Sequence, residues 1–135
     1  MIVKINPDLE KAKSIFGLVK SRISIIDSLK KVEFPTVVAE NYYEIIKELI
    51  SISLLVDGLK AVGENAHRDL IERFGKYTVL NNQEIAIIQD LRIKRNKSLY
   101  EGKQIGRVYL DNNENSLIKI MVKLEKYVKD RLGEK

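Results

Sequence analysis

Residues 36–61 read TVVAENYYEIIKELISISLLVDGLKA, and Pro35 stands immediately before them. Proline is tolerated in the first turn of a helix, where its missing N–H has no partner to lose, so Pro35 marks a helix start. Between Ile45 and Leu55 apolar side chains fall nearly all round the helix. A surface helix hides one stripe, whereas a segment apolar on every side needs cover on several. The stretch therefore predicts a central bundle helix, ending near Gly63, enclosed by neighbouring helices or by a second subunit.

Upstream, Asn6, Pro7 and Asp8 have the order of an N-cap, a first helical residue and a first-turn acid. Ile15, Val19, Ile23, Ile26 and Leu29 then recur every three or four residues, which predicts a first helix to Lys30. Downstream, AHRDLIERFG after Asn65 predicts a short third helix that stops at Gly75. Asn81 and Glu84 in NNQE have the spacing of a capping box, so a fourth helix should begin there and end before Gly102. KQIGRVYLDNNEN, residues 103–115, reads as a polar loop. A fifth helix is expected from Ser116 to Leu132, with Gly133 as its stop. The periodic segments read as helices rather than strands. The expectation is one all-α domain over residues 1–135, an antiparallel bundle of four to five helices with short connections.

Composition removes several chemistries. The chain has no cysteine and one histidine, which excludes disulfides, thiolate metal sites and histidine metal clusters. Neither a metal nor a cofactor is expected. There is no glycine-rich phosphate loop and no recognisable Ser-His-Asp set. The opening MIVKINPDLEKAK has no signal-like apolar run, and no stretch approaches the roughly 20 apolar residues of a membrane span. A soluble, cytoplasmic protein is the expectation.

Net charge is +5, and its placement is informative. Residues 92–107 hold six cations (Arg92, Lys94, Arg95, Lys97, Lys103, Arg107) against Glu101 alone, while cations and anions cancel over the rest of the chain. A focused cationic patch attracts phosphates better than the same charge spread evenly.

Two of these cations point the wrong way. At 100° per residue, with Ile85 at 0°, Ile88 falls at about 300°, Leu91 at about 240° and Leu99 at about 320°. Arg95, at about 280°, and Arg92, at about 340°, lie inside that apolar arc, and Asn96 and Tyr100 border it at about 20° and 60°. A guanidinium turned toward a core must meet a carboxylate, a wet cleft or an anionic ligand. Three arrangements satisfy it: an ion pair with an acid on a neighbouring helix, a phosphate or nucleotide cleft, or a dimer seam in which two subunits share a groove. Lys60 and Arg68 are candidates to extend such a groove. Tyr42, Tyr43 and Tyr77 could stack on bases, although aromatics at helical spacing more often serve the core. His67, early in the third helix, reads as a partly exposed first-turn residue, with catalysis as the alternative.

The stretch LRIKRNKSLYEG, residues 91–102, resembles the signature of HEPN domains, small helical bundles found in prokaryotic toxin and antitoxin systems and beside nucleotidyltransferases. That signature is an arginine, a polar residue such as asparagine, and a histidine a few residues on. Arg95 and Asn96 match the polar pair, and ENAHRDLIERF, residues 64–74, is similar to the family's short third helix. The resemblance implies a homodimer that binds nucleotide or RNA through Arg92, Arg95, Asn96 and Tyr100, with a separately encoded nucleotidyltransferase as partner. In HEPN ribonucleases the arginine and histidine of both subunits cleave RNA without metal. Here Tyr100 occupies the histidine position, and a phenol, which titrates near about 10, transfers protons poorly at neutral pH. The expectation is binding with little catalysis. A divergent ribonuclease using Arg95 with Tyr100 or His67, and a purely structural interaction module, are the alternatives.

Overall fold

The computed structural model describes residues 1–134. Five helices, α1 (Leu9–Ile26), α2 (Pro35–Val56), α3 (Ala66–Phe74), α4 (Asn82–Glu101) and α5 (Arg107–Leu132), make an all-α bundle. Two three-residue strands, β1 (Ile2–Lys4) and β2 (Leu59–Ala61), add a small antiparallel ribbon in which Ile2 faces Ala61 and Lys4 faces Leu59.

α2 is the axis and touches every other helix. Twelve of its residues, among them Tyr43, Ile46, Leu49, Ile50 and Leu54, are buried within the one chain. Each fully buried aliphatic side chain contributes about 1.5–3 kcal/mol, so α2 carries much of the fold's stability. Its apolar girth is therefore satisfied by bundle neighbours and does not by itself require a second subunit.

Cross-helix contacts give the helix directions. Arg22 meets Glu48 at 3.4 Å, while Lys11 and Ile15 border the same cavity as Ser51 and Leu55, so α1 runs against α2. Glu84 meets Lys123, and Lys94 lies over the Tyr109 ring, so α4 runs against α5. Consecutive long helices are thus antiparallel, as short links favour. α2 and α5 run parallel: Thr36 Oγ1 donates to the Ile105 carbonyl at 3.2 Å, Tyr42 to Glu114 at 3.0 Å, and Arg131 to Asp57 at 2.5 Å.

Several boundaries differ from the sequence expectation. The N-cap of α1 is Asp8, whose side chain accepts from Lys11 N at 3.0 Å, and not Asn6. Ile5 N donates to the Gly58 carbonyl at 2.8 Å, which keeps the chain extended past Asn6 and Pro7. α1 stops at Ile26 rather than Lys30, and residues 27–34 form turns. α2 ends at Val56 rather than near Gly63. Gly58 adopts φ +71, and a Cβ there would stand 2.7 Å from the Ile5 carbonyl oxygen, so this glycine both stops the helix and admits the ribbon. The ribbon itself was not legible, because three-residue strands carry too little alternation to register.

α5 begins at Arg107, well before Ser116. Asn112, Asn113 and Asn115 have weak helix propensity, but Glu114 in their midst is held by Tyr42 at 3.0 Å and by Lys31 at 2.7 Å. Tertiary contact overrides propensity there. The fourth helix matches its reading: Asn81 accepts from Glu84 N at 2.8 Å, Glu84 accepts from Asn81 N at 3.0 Å, and Gly102 closes the helix at φ +69. No helix among the described residues is long and apolar enough to cross a membrane.

Candidate functional site

α3 and α4 differ in length, and that difference makes a cleft. α3 has nine residues, α4 twenty. Gln89 Nε2 reaches the Arg68 carbonyl at 3.1 Å, which sets the start of α3 beside the middle of α4. The last turns of α4 then run past the start of α3, beside the connecting residues Gly63 to Asn65. The resulting cleft, about 310 Å³, is lined by Arg92, Arg95, Asn96 and Tyr100 from α4 and by His67 and Arg68 from α3.

The four residues read from α4 are therefore brought together, and Arg68 joins them. Leu99 departs from its wheel position: it is 52% exposed rather than core. Tyr100 is 78% exposed at the lip of the cleft. Lys60 faces a different, mainly apolar cavity.

Arg95 sits on the cleft floor, its side chain only 17% exposed. Its Nη2 donates to Glu44 Oε1 at 2.9 Å, and its guanidinium lies over the Tyr43 ring, 5.5 Å from the centroid. The ion pair and the cleft are thus both present at this one residue. Glu44 Oε2 accepts from Lys47 Nζ at 2.9 Å. Burial pushes the Glu44 carboxyl up, but the hydrogen bond and charge of Lys47, with Arg95 and Arg22 beyond it, outweigh burial and hold it below the usual range. Sequence reasoning required an acid somewhere and did not name Glu44. A signal existed: Glu40, Glu44, Lys47, Glu48 and Ser51 form one polar stripe along an otherwise apolar helix.

Arg92 differs from Arg95. Its Nε donates to Gln89 Oε1 at 2.7 Å, and it pairs with no carboxylate among the described residues. Its charge is available to a ligand. At the start of α3 Asn65 makes no side-chain cap, and Ala66 N donates to the Gly63 carbonyl at 3.2 Å.

His67 is a partly exposed first-turn residue of α3, as read from the sequence, and it also lines the cleft. Its ring centroid lies 6.4 Å from that of Tyr43. Burial first, then the charges of Lys47, Arg95 and Arg92, lowers its pKa below 6.5, so the imidazole is neutral at neutral pH. The Tyr43 hydroxyl is buried with no hydrogen-bond partner, and burial raises it to about 12 against the opposing charges of Arg95 and Arg92.

The tyrosines considered for base stacking are otherwise engaged. Tyr42 is buried and donates to Glu114. Tyr43 is covered by Arg95 and His67. Tyr77 stacks on Phe74 at 5.1 Å and donates to Asp57 at 2.6 Å. All three serve the fold.

No family model, curated protein or solved structure matches this chain. The site has to be interpreted from its own chemistry.

Proposed function

We infer that the chain is a HEPN-like module that binds the phosphate of a nucleotide or of RNA in the α3–α4 cleft. One observation carries this reading: Arg68, Arg92, Arg95 and His67 converge on one cavity, with Glu64 the only carboxylate residue lining it among the described residues. Arg92 supplies the unpaired guanidinium, Asn96 a neutral donor, and Tyr100 an exposed ring at the mouth.

The module works as a symmetric homodimer in this reading. Support comes from α4, where Ile93, Leu99 and Tyr100 are large apolar or aromatic side chains left exposed, surface that a second copy would cover. A separately encoded nucleotidyltransferase, of the kind the HEPN resemblance implies, is the proposed partner. Strong catalysis is not part of the proposal, because a phenol stands at Tyr100 where the HEPN pattern has an imidazole, and a phenol transfers protons poorly at neutral pH.

The position of His67 favours a second reading, in which Arg95 and His67 cleave RNA without metal. One experiment addresses both. Fluorescently labelled oligoribonucleotide is titrated with protein in chelator, with anisotropy reporting binding and gel analysis reporting cleavage. Binding that weakens with salt and falls at least tenfold in Arg92→Ser, with the RNA intact, supports the leading reading. Cleavage abolished by His67→Asn supports the second. Absence of binding by both the oligomer and adenosine monophosphate at millimolar concentration removes both.

A further inference from the structure

A second cavity, about 290 Å³, shares only Ala66 and His67 with the arginine cleft. α1, α2, α3 and the ribbon's second strand line it, together with Ile5. The close fit at Gly58, with Ile5 N bonded to the Gly58 carbonyl at 2.8 Å, clamps the ribbon to the end of α2 beside the cavity that Ile5 and Leu59 line. Small side chains at Ser51, Ala61 and Ala66 leave the space unfilled. The remaining walls, Ile15, Leu55 and Leu70, are apolar.

The charges around this chamber are all of one sign. Lys11, Lys47 and Lys60 line it and no carboxylate does. Lys47 is held by Glu44, whereas Lys11 and Lys60 pair with no carboxylate among the described residues. Apolar walls disfavour a polyphosphate, and the lysines disfavour a cation. The volume lies at the lower end of small-molecule sites.

We propose that this cavity binds a small amphiphilic anion, an acyl or aryl body bearing one carboxylate, with the body against Ile15, Leu55 and Leu70 and the carboxylate between Lys11 and Lys60. Binding here needs no nucleotide in the arginine cleft, although the two cavities share Ala66 and His67. Its preference is set by complementarity: the hydrocarbon leaves water for the apolar walls, and the carboxylate meets unpaired ammonium groups.

Isothermal titration of the full chain with octanoate, octylammonium and octanol tests the assignment. Octanoate should bind at least about tenfold more tightly than either of the others, and Lys60→Glu should remove about that factor. Ser51→Phe, with its helical circular dichroism retained, should abolish binding by filling the chamber; if that variant does not fold, Ala61→Leu carries the same expectation. Arg92→Ser should leave octanoate affinity unchanged. Equal binding of octylammonium, no octanoate binding at millimolar concentration, or affinity unaffected by Lys60→Glu would overturn the proposal.

Discussion

Arg95 Nη2 stands 2.9 Å from Glu44 Oε1, and the second oxygen of the same carboxylate holds Lys47 at 2.9 Å. Glu44 is thus shared between the floor of the arginine cleft and the wall of the apolar chamber, since Lys47 lines the latter. The consequence is that Arg95 is stabilised by an acid that does not depend on it alone.

Arg95→Ala should therefore destabilise the fold by about 1–2 kcal/mol, less than the 3–5 kcal/mol typical of an orphaned buried charge. Lys47 remains on Glu44, whose side chain keeps 22% of its exposure. Loss of the contact over Tyr43 adds a share of that cost. Urea denaturation of Arg95→Ala, Glu44→Gln and the double variant measures the coupling. A coupling indistinguishable from zero would remove the ion pair from the account.

Leu99→Glu should leave the melting temperature of the folded chain nearly unchanged, because Leu99 is half exposed and substitutions at such surface positions usually act within about 0.5 kcal/mol. Its effect should fall on association. Sedimentation velocity at micromolar concentration should show the parent as a dimer and the variant as a monomer. A monomeric parent removes the homodimer from the proposed function.

Acid should weaken the fold through Glu44. Its carboxyl is held below 4.5 in the folded chain, so the folded state stays charged where the unfolded chain already binds a proton. The stabilisation is complete above the unfolded value and is lost as pH falls through the folded one. Urea denaturation at pH 7 and pH 3 should show that Glu44→Gln loses less stability than the parent over that interval.

His67 should titrate below 6.5 in the unliganded protein, as burial and the charges of Lys47, Arg95 and Arg92 disfavour its imidazolium. The fold accordingly loses stability as pH falls below the unfolded value of His67, since the unfolded chain protonates first. An anion in the cleft offsets those charges. Proton NMR of the single histidine should show its pKa rise when adenosine monophosphate is added, and an unmoved pKa at saturating ligand would place the phosphate elsewhere.

Much of the fold was legible locally. Pro35 and the apolar run of α2, the Asn81–Glu84 capping box and the glycine stops at 102 and 133 each rest on backbone rules that act within a few residues, and each stands in the structure. The inward set of Arg92 and Arg95 was legible for the same reason, because helical angle follows from residue number.

What required the tertiary structure were the questions of what lies opposite. The helical angle of Arg95 does not say that Glu44 and Tyr43 wait across the interface, nor does that of Leu99 say that it is left half exposed. His67 and Arg95 are far apart in sequence and share a cleft because α3 and α4 pack together on α2, with Gln89 tied to the backbone of Arg68. The start of α5 and the ribbon were decided the same way, by Tyr42 and Lys31 gripping Glu114 and by Gly58 admitting Ile5. Local propensity determines which segments become helices and which face of each is apolar. Long-range burial and charge pairing decide where weak segments end and which side chains meet, since those energies exist only once distant parts of the chain are in contact.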